Sequence, residues 1–524
     1  MKKIILFVAC LSFLTVQTAL TQDSAVKKII EMGQNDNRVM HQLDVLTNRF
    51  GGRILGSGAF EDSQQWIMHE FKNWGLNVEL QEAGTLPVGF NRGPWFGRMI
   101  SDDGMILHFA TPSYTSGTKG VQRGHVLMEP QTEEQFQRIK GKLKGAWVLI
   151  NGTNNGFPID RSLRADSIRD SIKVANEGID KENRVLRMRN WRIGGGELKP
   201  YRQFPALYYK EMVAAGALGF IQSSTLPIRA LYDRKMIDDA RTTFDNLPEV
   251  PDIKLDEHQF AIIQQKVKER QDVELEFDIR NHFRVGPVKY YNLVGSIKGT
   301  KYPNEYVIVS GHLDSYDVAT GAIDCGTGIG PMMEAARMIA LSGAKPKRTI
   351  LFVAFAGEEF GLNGSEAYVK THANELKNIS NMFNRDGGPE PPLGISVPKA
   401  MYDDFKKICE PISKINPDFP FEVKVAQPRR QPTSPGGTDA SVFAMKGVPT
   451  IEFETRDIKG YNFDYMEIWH TERDLYNKEI PEYQQQTATV TAIVALGVAN
   501  LDHQLSRTGL YKSPEDKSGE EFRP

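Results

Sequence analysis

Five short stretches of the chain place a histidine or a carboxylate beside glycine or just past an apolar run. They are His312-Leu313-Asp314, Asp324 inside Gly321-Ala322-Ile323-Asp324-Cys325-Gly326, Glu358-Glu359 after Ala356-Gly357, Asp386 before Gly387-Gly388, and His470 in Trp469-His470-Thr471-Glu472-Arg473-Asp474. Singly, each has an ordinary explanation: a hydrogen-bonded His-x-Asp pair, two solvated acids, a turn aspartate, a loop histidine. Together, two imidazoles and several carboxylates form a donor set suited to Zn²⁺ or a similar divalent ion. Two ions ~3.5–4 Å apart need a bridging ligand, which a carboxylate can be and a neutral imidazole cannot. Three ionised carboxylates and one bridging hydroxide would neutralise two Zn²⁺, so such a cluster can be buried. The chain's 3 cysteines are too few for a disulfide framework or a thiolate zinc site.

These residues need elements that converge on one place. From residue 290 onward the chain alternates between apolar strands and helices. Strands are predicted at 306–310, 349–355, 379–383, 421–425 and 449–453. Helices are predicted at 328–342, 363–376, 401–415, 438–446 and 481–503. Each candidate ligand then falls at the carboxyl end of a strand or at the start of the next helix, where open α/β sheets bind ligands. Upstream, residues 24–50 and 59–76 read as amphipathic helices around the Gly-rich turn Gly51–Gly58. Between 105 and 285 the texture changes to short strands (105–110, 124–128, 146–150, 218–221, 273–277) with a helix near 209–216. The charged stretch 154–200 reads as a solvated insertion with mobile helices.

Composition frames this. The chain has 524 residues, with 64 Lys+Arg against 66 Asp+Glu and a net charge of −2. That excludes collagen-like, disordered and coiled-coil classes, and gives no electrostatic reason to expect nucleic acid or an anionic membrane as partner. Lys2 and Lys3, the apolar run Ile4–Leu14, and the small residues Ala19 and Thr21 predict an export signal over 1–21, for a periplasmic or extracellular protein. The run is shorter than the ~20 residues a membrane span needs, so no stable membrane insertion is expected. Residues 506–524 read as a flexible tail.

These motifs, in this order, resemble those of the co-catalytic di-zinc exopeptidases, which include bacterial leucyl aminopeptidases and glutamate carboxypeptidases. Gly311-His312-Leu313-Asp314-Ser315-Tyr316-Asp317-Val318, Arg348-Thr349-Ile350-Leu351 and Gly437-Thr438-Asp439 are most similar to the plasma glutamate carboxypeptidase branch. The resemblance implies a three-layer α/β/α catalytic domain with a mainly parallel mixed sheet, formed by 22–104 and 286–505. A β-rich protease-associated (PA) domain over 105–285 would interrupt it. It implies two Zn²⁺ per chain, with His312 and Asp386 on one, Glu359 and His470 on the other, and Asp324 bridging. Glu358 would be the general base. Asp314 would orient His312, and Asp474 would do the same for His470. Gly437, Thr438 and Asp439 would shape the substrate pocket, with Tyr461 or Tyr465 as oxyanion donor. The substrate would be a peptide, and the branch implies a homodimer.

Two other readings use the same scaffold. One is a one-zinc acyltransferase of the glutaminyl cyclase kind. The other is a non-catalytic receptor or binding protein, against which the intact ligand set argues. The core motifs do not separate aminopeptidase from carboxypeptidase: the first needs an acid for the substrate's amine, the second an Arg, Lys or backbone donors for its carboxylate.

Overall fold

The computed structural model describes residues 23–101, 104–194, 196–232 and 242–512. The export signal expected at 1–21 and the tail from 513 lie outside the described residues. The central sheet has five strands: β1 (Asn77–Leu86), β2 (Val288–Ile297), β3 (Tyr302–His312), β4 (Arg348–Phe355) and β5 (Ile379–Asn384). Their order is β1-β2-β4-β3-β5. β3 is parallel to β4 and β5, while β2 is antiparallel to both β4 and β1. Four of the five strands therefore point the same way, and the sheet is mainly parallel.

Side-chain alternation along these strands feeds two helical layers. Val307 and Val309 of β3, with Ile350, Phe352 and Ala354 of β4, pack against helices α3 (Thr327–Leu341) and α6 (Pro481–Ala499). Ile308, Leu351, Val353 and Phe355 point the other way, into a second core with α4 (Asn363–Thr371) and α5 (Asp439–Met445). Every residue of β4 is buried, as a strand covered on both faces must be. Two earlier helices, α1 (Val39–Asp44) and α2 (Gly58–Asn73), belong to the α3/α6 side. The polar edge strand β1 alternates weakly and escapes prediction.

Two segments depart from the sequence reading. The strand expected at 449–453 forms only at Phe453–Thr455, in a small three-stranded sheet with Pro392–Val397 and Glu422–Val425. Residues 449–451 instead lie along β5 on other bonds. Met382 N donates to Pro449 O, and the Asn381 side chain pairs with both Ile451 N (2.9 Å) and Ile451 O (3.1 Å). Residues 506–512 are not a loose tail. Arg507 donates to the carbonyls of Leu376, Lys377 and Ile379, Leu510 is buried, and the Tyr511 hydroxyl reaches Ala444 O and Val448 O.

A second, seven-stranded sheet occupies residues 95–279. Its order is Trp95–Met99, Glu274–Ile279, Gln122–Met128, Ala146–Thr153, Gly219–Ser224, Asp252–Asp256, Phe109–Ala110, around a core of its own. The charged stretch is one 31-residue helix, Leu163–Ile193, capped by Ser162. Its buried face is polar: Arg169, Asn176, Asp180 and Asn183 recur at helical spacing. Asn176 bonds Gln131 O and both backbone groups of Arg202, and Asn183 bonds both of Lys199. No helix among the described residues is long and apolar enough to cross a membrane.

The two sheets meet beside His470. Ile228, Ala230, Leu231 and Tyr232, from the second unit, are buried in the first unit's core, and Tyr232 stacks on Phe360 with 3.6 Å between centroids. Glu472 N donates to Ile228 O (2.9 Å), and Ile228 N donates to Glu472 Oε1 (3.0 Å). His108 bridges the same carboxylate, 2.7 Å from Nε2, to Asp256, 3.3 Å from Nδ1. Partial burial opposes the charge on His108, but hydrogen bonds to Glu472 and then Asp256 raise its pKa above the ordinary value. Because the folded value is the higher one, the clamp stabilises fully below the unfolded value of about 6.5 and weakens as pH rises through the folded one. Protection of the Ile228 and Glu472 amides, corrected for intrinsic exchange, should fall a few-fold from about pH 6 to about pH 9, the scale of a partly exposed pair of about 0.2–1 kcal/mol. In His108→Gln it should stay flat, and equal pH dependence in both proteins would remove His108 as the cause.

Candidate metal centre

Three strands, β3, β4 and β5, each lead into one donor, and two loops supply the others. His312 is the last residue of β3. The chain leaving β4 turns at Gly357, whose φ of +74° suits glycine, into Glu358-Glu359. Asp386 follows β5 by two residues. Asp324 sits in the single wide turn Ala322–Gly326 that leads into α3, and the Asp324–Cys325 peptide is cis. His470 follows the short helix Tyr465–Ile468 and itself adopts φ +59°.

These donors converge. His312 Nε2 lies 3.2 Å from Asp324 Oδ1 and 3.4 Å from Asp386 Oδ1. His470 Nε2 lies 3.2 Å from Asp324 Oδ2 and 3.1 Å from Glu359 Oε2. Asp324 thus turns one oxygen toward each histidine, the disposition a bridging carboxylate requires. Donor atoms of His312, Cys325 and Asp386 form one group within 4.8 Å of each other, and those of Asp324, Glu359 and His470 form a second. His312 Nε2, Asp324 Oδ2 and Glu359 Oε1 are buried without a hydrogen-bond partner. Buried polar atoms without partners are costly, and three of them aimed into one centre fit a pair of divalent cations.

The electrostatics agree. Burial works against the Asp324 charge, but the adjacent imidazoles of His312 and His470 hold its carboxyl well below the usual range. Burial would lower His470, but Glu359 and Asp324 raise it to about 10. Burial would lower His312 as well, and Cys325, Asp386 and Asp324 lift it well above its ordinary value. Burial, opposed by His470, pushes Glu359 up to about 7.

The supporting acids sit where the sequence places them but act on different partners. His312 Nδ1 meets the backbone carbonyl of Asp314 at 2.9 Å, whereas the Asp314 carboxylate is 3.9 Å away. That carboxylate accepts from the amides of Gly357 (2.8 Å), Glu358 (3.2 Å) and Glu359 (3.2 Å), so it fixes the loop carrying the two glutamates. Asp474 does not reach His470. It accepts from the amides of Ile323 (2.6 Å) and Asp324 (3.2 Å), and so sets the bridging residue. Both acids found backbone amides because strand-end loops leave N–H groups without ladder partners.

Of the expected pocket residues, Gly437 faces open space and Thr438 Oγ1 accepts from Asn384. Asp439 is buried at the start of α5, and burial pushes it up to about 7. The Tyr465 pKa is raised by burial and then by the charges of Asp324 and Asp386. Tyr461 is excluded as an oxyanion donor: its hydroxyl donates to Glu482 Oε1 at 2.6 Å on the surface. Cys325 is fully buried, and its thiol donates to Arg385 O at 3.1 Å.

Sequence reasoning passes over three further residues. Arg53, fully buried, donates to the carbonyls of Gly51, Leu313, Thr320 and Gly321. Its signal was a lone cation inside a glycine-rich turn. Arg385 is buried under the Asp386 loop and donates to Gly388 O and Glu390 O. Tyr316 packs its ring 4.5 Å from that of His470.

Comparison with known proteins agrees with this geometry. Residues 292–495 match Peptidase family M28. Carboxypeptidase Q of Xenopus laevis is 25% identical over 384 residues, covering 72% of this chain and 76% of that protein. Carboxypeptidase Q of Rattus norvegicus is 30% identical over 239 residues, but that alignment spans only 46% of its length. In fold, the chain resembles a peptidase M28 precursor from Shewanella amazonensis (TM-score 0.55, 20% identity, 93% of this chain and 99% of that one). It also resembles a zinc aminopeptidase from Bacillus subtilis (TM-score 0.50, 17% identity, 91% and 97%). The chain is thus similar to zinc exopeptidases, and the stretch that matches Peptidase family M28 holds all five converging donors.

Proposed function

We propose that this protein is an exported exopeptidase that hydrolyses dipeptides or short peptides at the centre built by His312, Asp324, Glu359, Asp386 and His470. The observation that carries the reading is Asp324, with one oxygen 3.2 Å from each histidine and a further acid completing each side. Two donor groups sharing a carboxylate support two zinc ions rather than the single ion of a cyclase. Zinc bound there supplies Lewis acidity, which polarises a scissile carbonyl and eases deprotonation of water.

The chain's own residues divide the remaining work. Glu358, beside ligand Glu359, is the general base. Burial first, then Glu359, Asp386 and Asp439, push its carboxyl up to about 11 against the pull of His312. Beside bound cations this carboxyl would ionise, and it could then take a proton from water and pass it to the leaving amine. Asp314 keeps it in place by binding the amides of Gly357, Glu358 and Glu359. Tyr465 is the oxyanion donor in this reading, its hydroxyl kept neutral by burial. The export signal at 1–21 directs the protein out of the cytoplasm, residues 105–285 serve as a PA-like insert walling the cleft, and the protein acts as a homodimer.

Glu358→Gln removes the base while keeping size and polarity. It should lower kcat by at least about 10²-fold, with two zinc ions per chain still bound by elemental analysis. Hydrolysis at the wild-type rate would refute the assigned base. Asp314→Ala frees the glutamate loop, and competition with a chelator should show zinc held about 10–100-fold more weakly. Asp314→Asn, which keeps an acceptor for one amide, should fall between. Unchanged affinity in both variants would show that the loop holds its shape without the carboxylate.

A further inference from the structure

The helix Leu163–Ile193 is inverted. A surface helix ordinarily buries an apolar stripe and turns its polar side to water. This one buries Arg169, Asn176, Asp180 and Asn183, and leaves Val174, Val185, Met188, Trp191 and Ile193 exposed. Val185, Met188 and Trp191 follow one another at three-residue spacing, which makes them neighbours on its outer side. Trp191 is 86% exposed and Ile193 73%, although tryptophan is among the residues most buried on average.

The same end is strongly basic. Residues 181–202 hold seven Lys or Arg against two Glu, in a chain whose net charge is −2. Part of that charge is used internally: Arg184 pairs with Glu134 and Asp180, Arg187 with Asp180, and Lys199 with Glu182. Lys181, Arg189 and Arg192 are exposed, with no hydrogen bond or ion pair among the described residues. Past Arg187, the side-chain bonds of the helix are those of Asn190 to both backbone groups of Gly196. The helix is about 45 Å long, and the chain near Asn246 meets its opposite end, where Arg161 donates to Asn246 O. The tip that carries Trp191 is remote from that contact.

We infer that this helix end is a docking surface for an anionic phospholipid bilayer. The interface of a bilayer takes up apolar side chains set among cations: the apolar groups enter the headgroup boundary and the arginines meet phosphates. An indole suits that boundary, being largely apolar with one polar N–H. A protein partner is the poorer match. A stable interface takes about 800 Å² from each side, and this tip offers four apolar side chains. A second copy meeting it tip to tip about a two-fold axis would set Arg189 and Arg192 against their own equivalents. Docking of this kind lies on the surface without a spanning helix, and is independent of the exopeptidase reading.

Sedimentation of the zinc-loaded chain with phosphatidylcholine vesicles, made with or without phosphatidylglycerol, is the test. Wild type should pellet with the anionic vesicles, stay in solution with the neutral ones, and be released by added salt. Replacing both cations, Arg189→Gln with Arg192→Gln, should weaken partitioning about 25-fold, at about 5-fold per cation. Trp191→Ser should weaken it too, but with the slope of the salt dependence unchanged, which separates apolar insertion from charge. Zinc content and thermal midpoint should match wild type in both variants, so that lost binding is not lost fold. Equal pelleting with neutral and anionic vesicles, or undiminished binding by the double arginine variant, would overturn the surface. So would a dimer in lipid-free sedimentation velocity that Trp191→Ser abolishes, because the tip would then face a second copy.

Discussion

Burying several carboxylates in one small volume is the constraint that shapes this molecule. Asp314, Asp324, Glu358, Glu359, Asp439 and Asp474 are all drawn into or around the centre, and burial alone would keep most of them protonated. The structure answers each acid differently. Asp324 is answered by two histidines, and Asp314 and Asp474 by backbone amides. Glu359 keeps a bare oxygen. Asp324 and Glu359 each keep an oxygen without a hydrogen-bond partner, where a cation would complete the set, whereas both oxygens of Asp314 and of Asp474 accept from amides.

A mainly parallel sheet is suited to this because its strands end together. β3, β4 and β5 stop at one edge, and the loops beyond them carry amides that no ladder uses. Rigidity comes from groups that touch no donor atom. Arg53 gathers four carbonyls from the Gly51 turn and the 313–321 loop, and burial lowers its pKa only to about 10, so the guanidinium stays charged. The loop before the bridging aspartate is thus folded around a cation. A lysine, with three donors on one point, could not span the same four acceptors.

The catalytic half of the fold was legible because its chemistry and periodicity coincide. Strands covered on both faces read as apolar runs, and the acids and histidines near their ends stood out as candidate donors, whose roles only the resemblance assigned. What was lost was lost for physical reasons. β1 is an edge strand with polar side chains, so it alternates too weakly to register. The helix Leu163–Ile193 buries Arg169, Asn176, Asp180 and Asn183 rather than apolar residues, so hydrophobic periodicity describes it as solvated. At the centre, residue type and position gave the candidate donors, and the resemblance chose the five among them. The partners of Asp314 and Asp474 did not, because backbone amides leave no trace in sequence.

The second unit does more than cover the cleft. His470 donates toward Asp324 and Glu359 from a left-handed conformation that a non-glycine residue adopts only when its surroundings impose it. On one side those surroundings are Thr471, bonded back to Glu467 O and Ile468 O, and Asp474, which accepts from the turn that carries Asp324. On the other side they are Ile228 and His108, which hold Glu472 from the second unit. A metal ligand is therefore positioned from both halves of the molecule. The same contact that brings Ile228 to the loop of His470 also brings Arg229 over Trp469, so whatever moves the second unit must alter the geometry around His470.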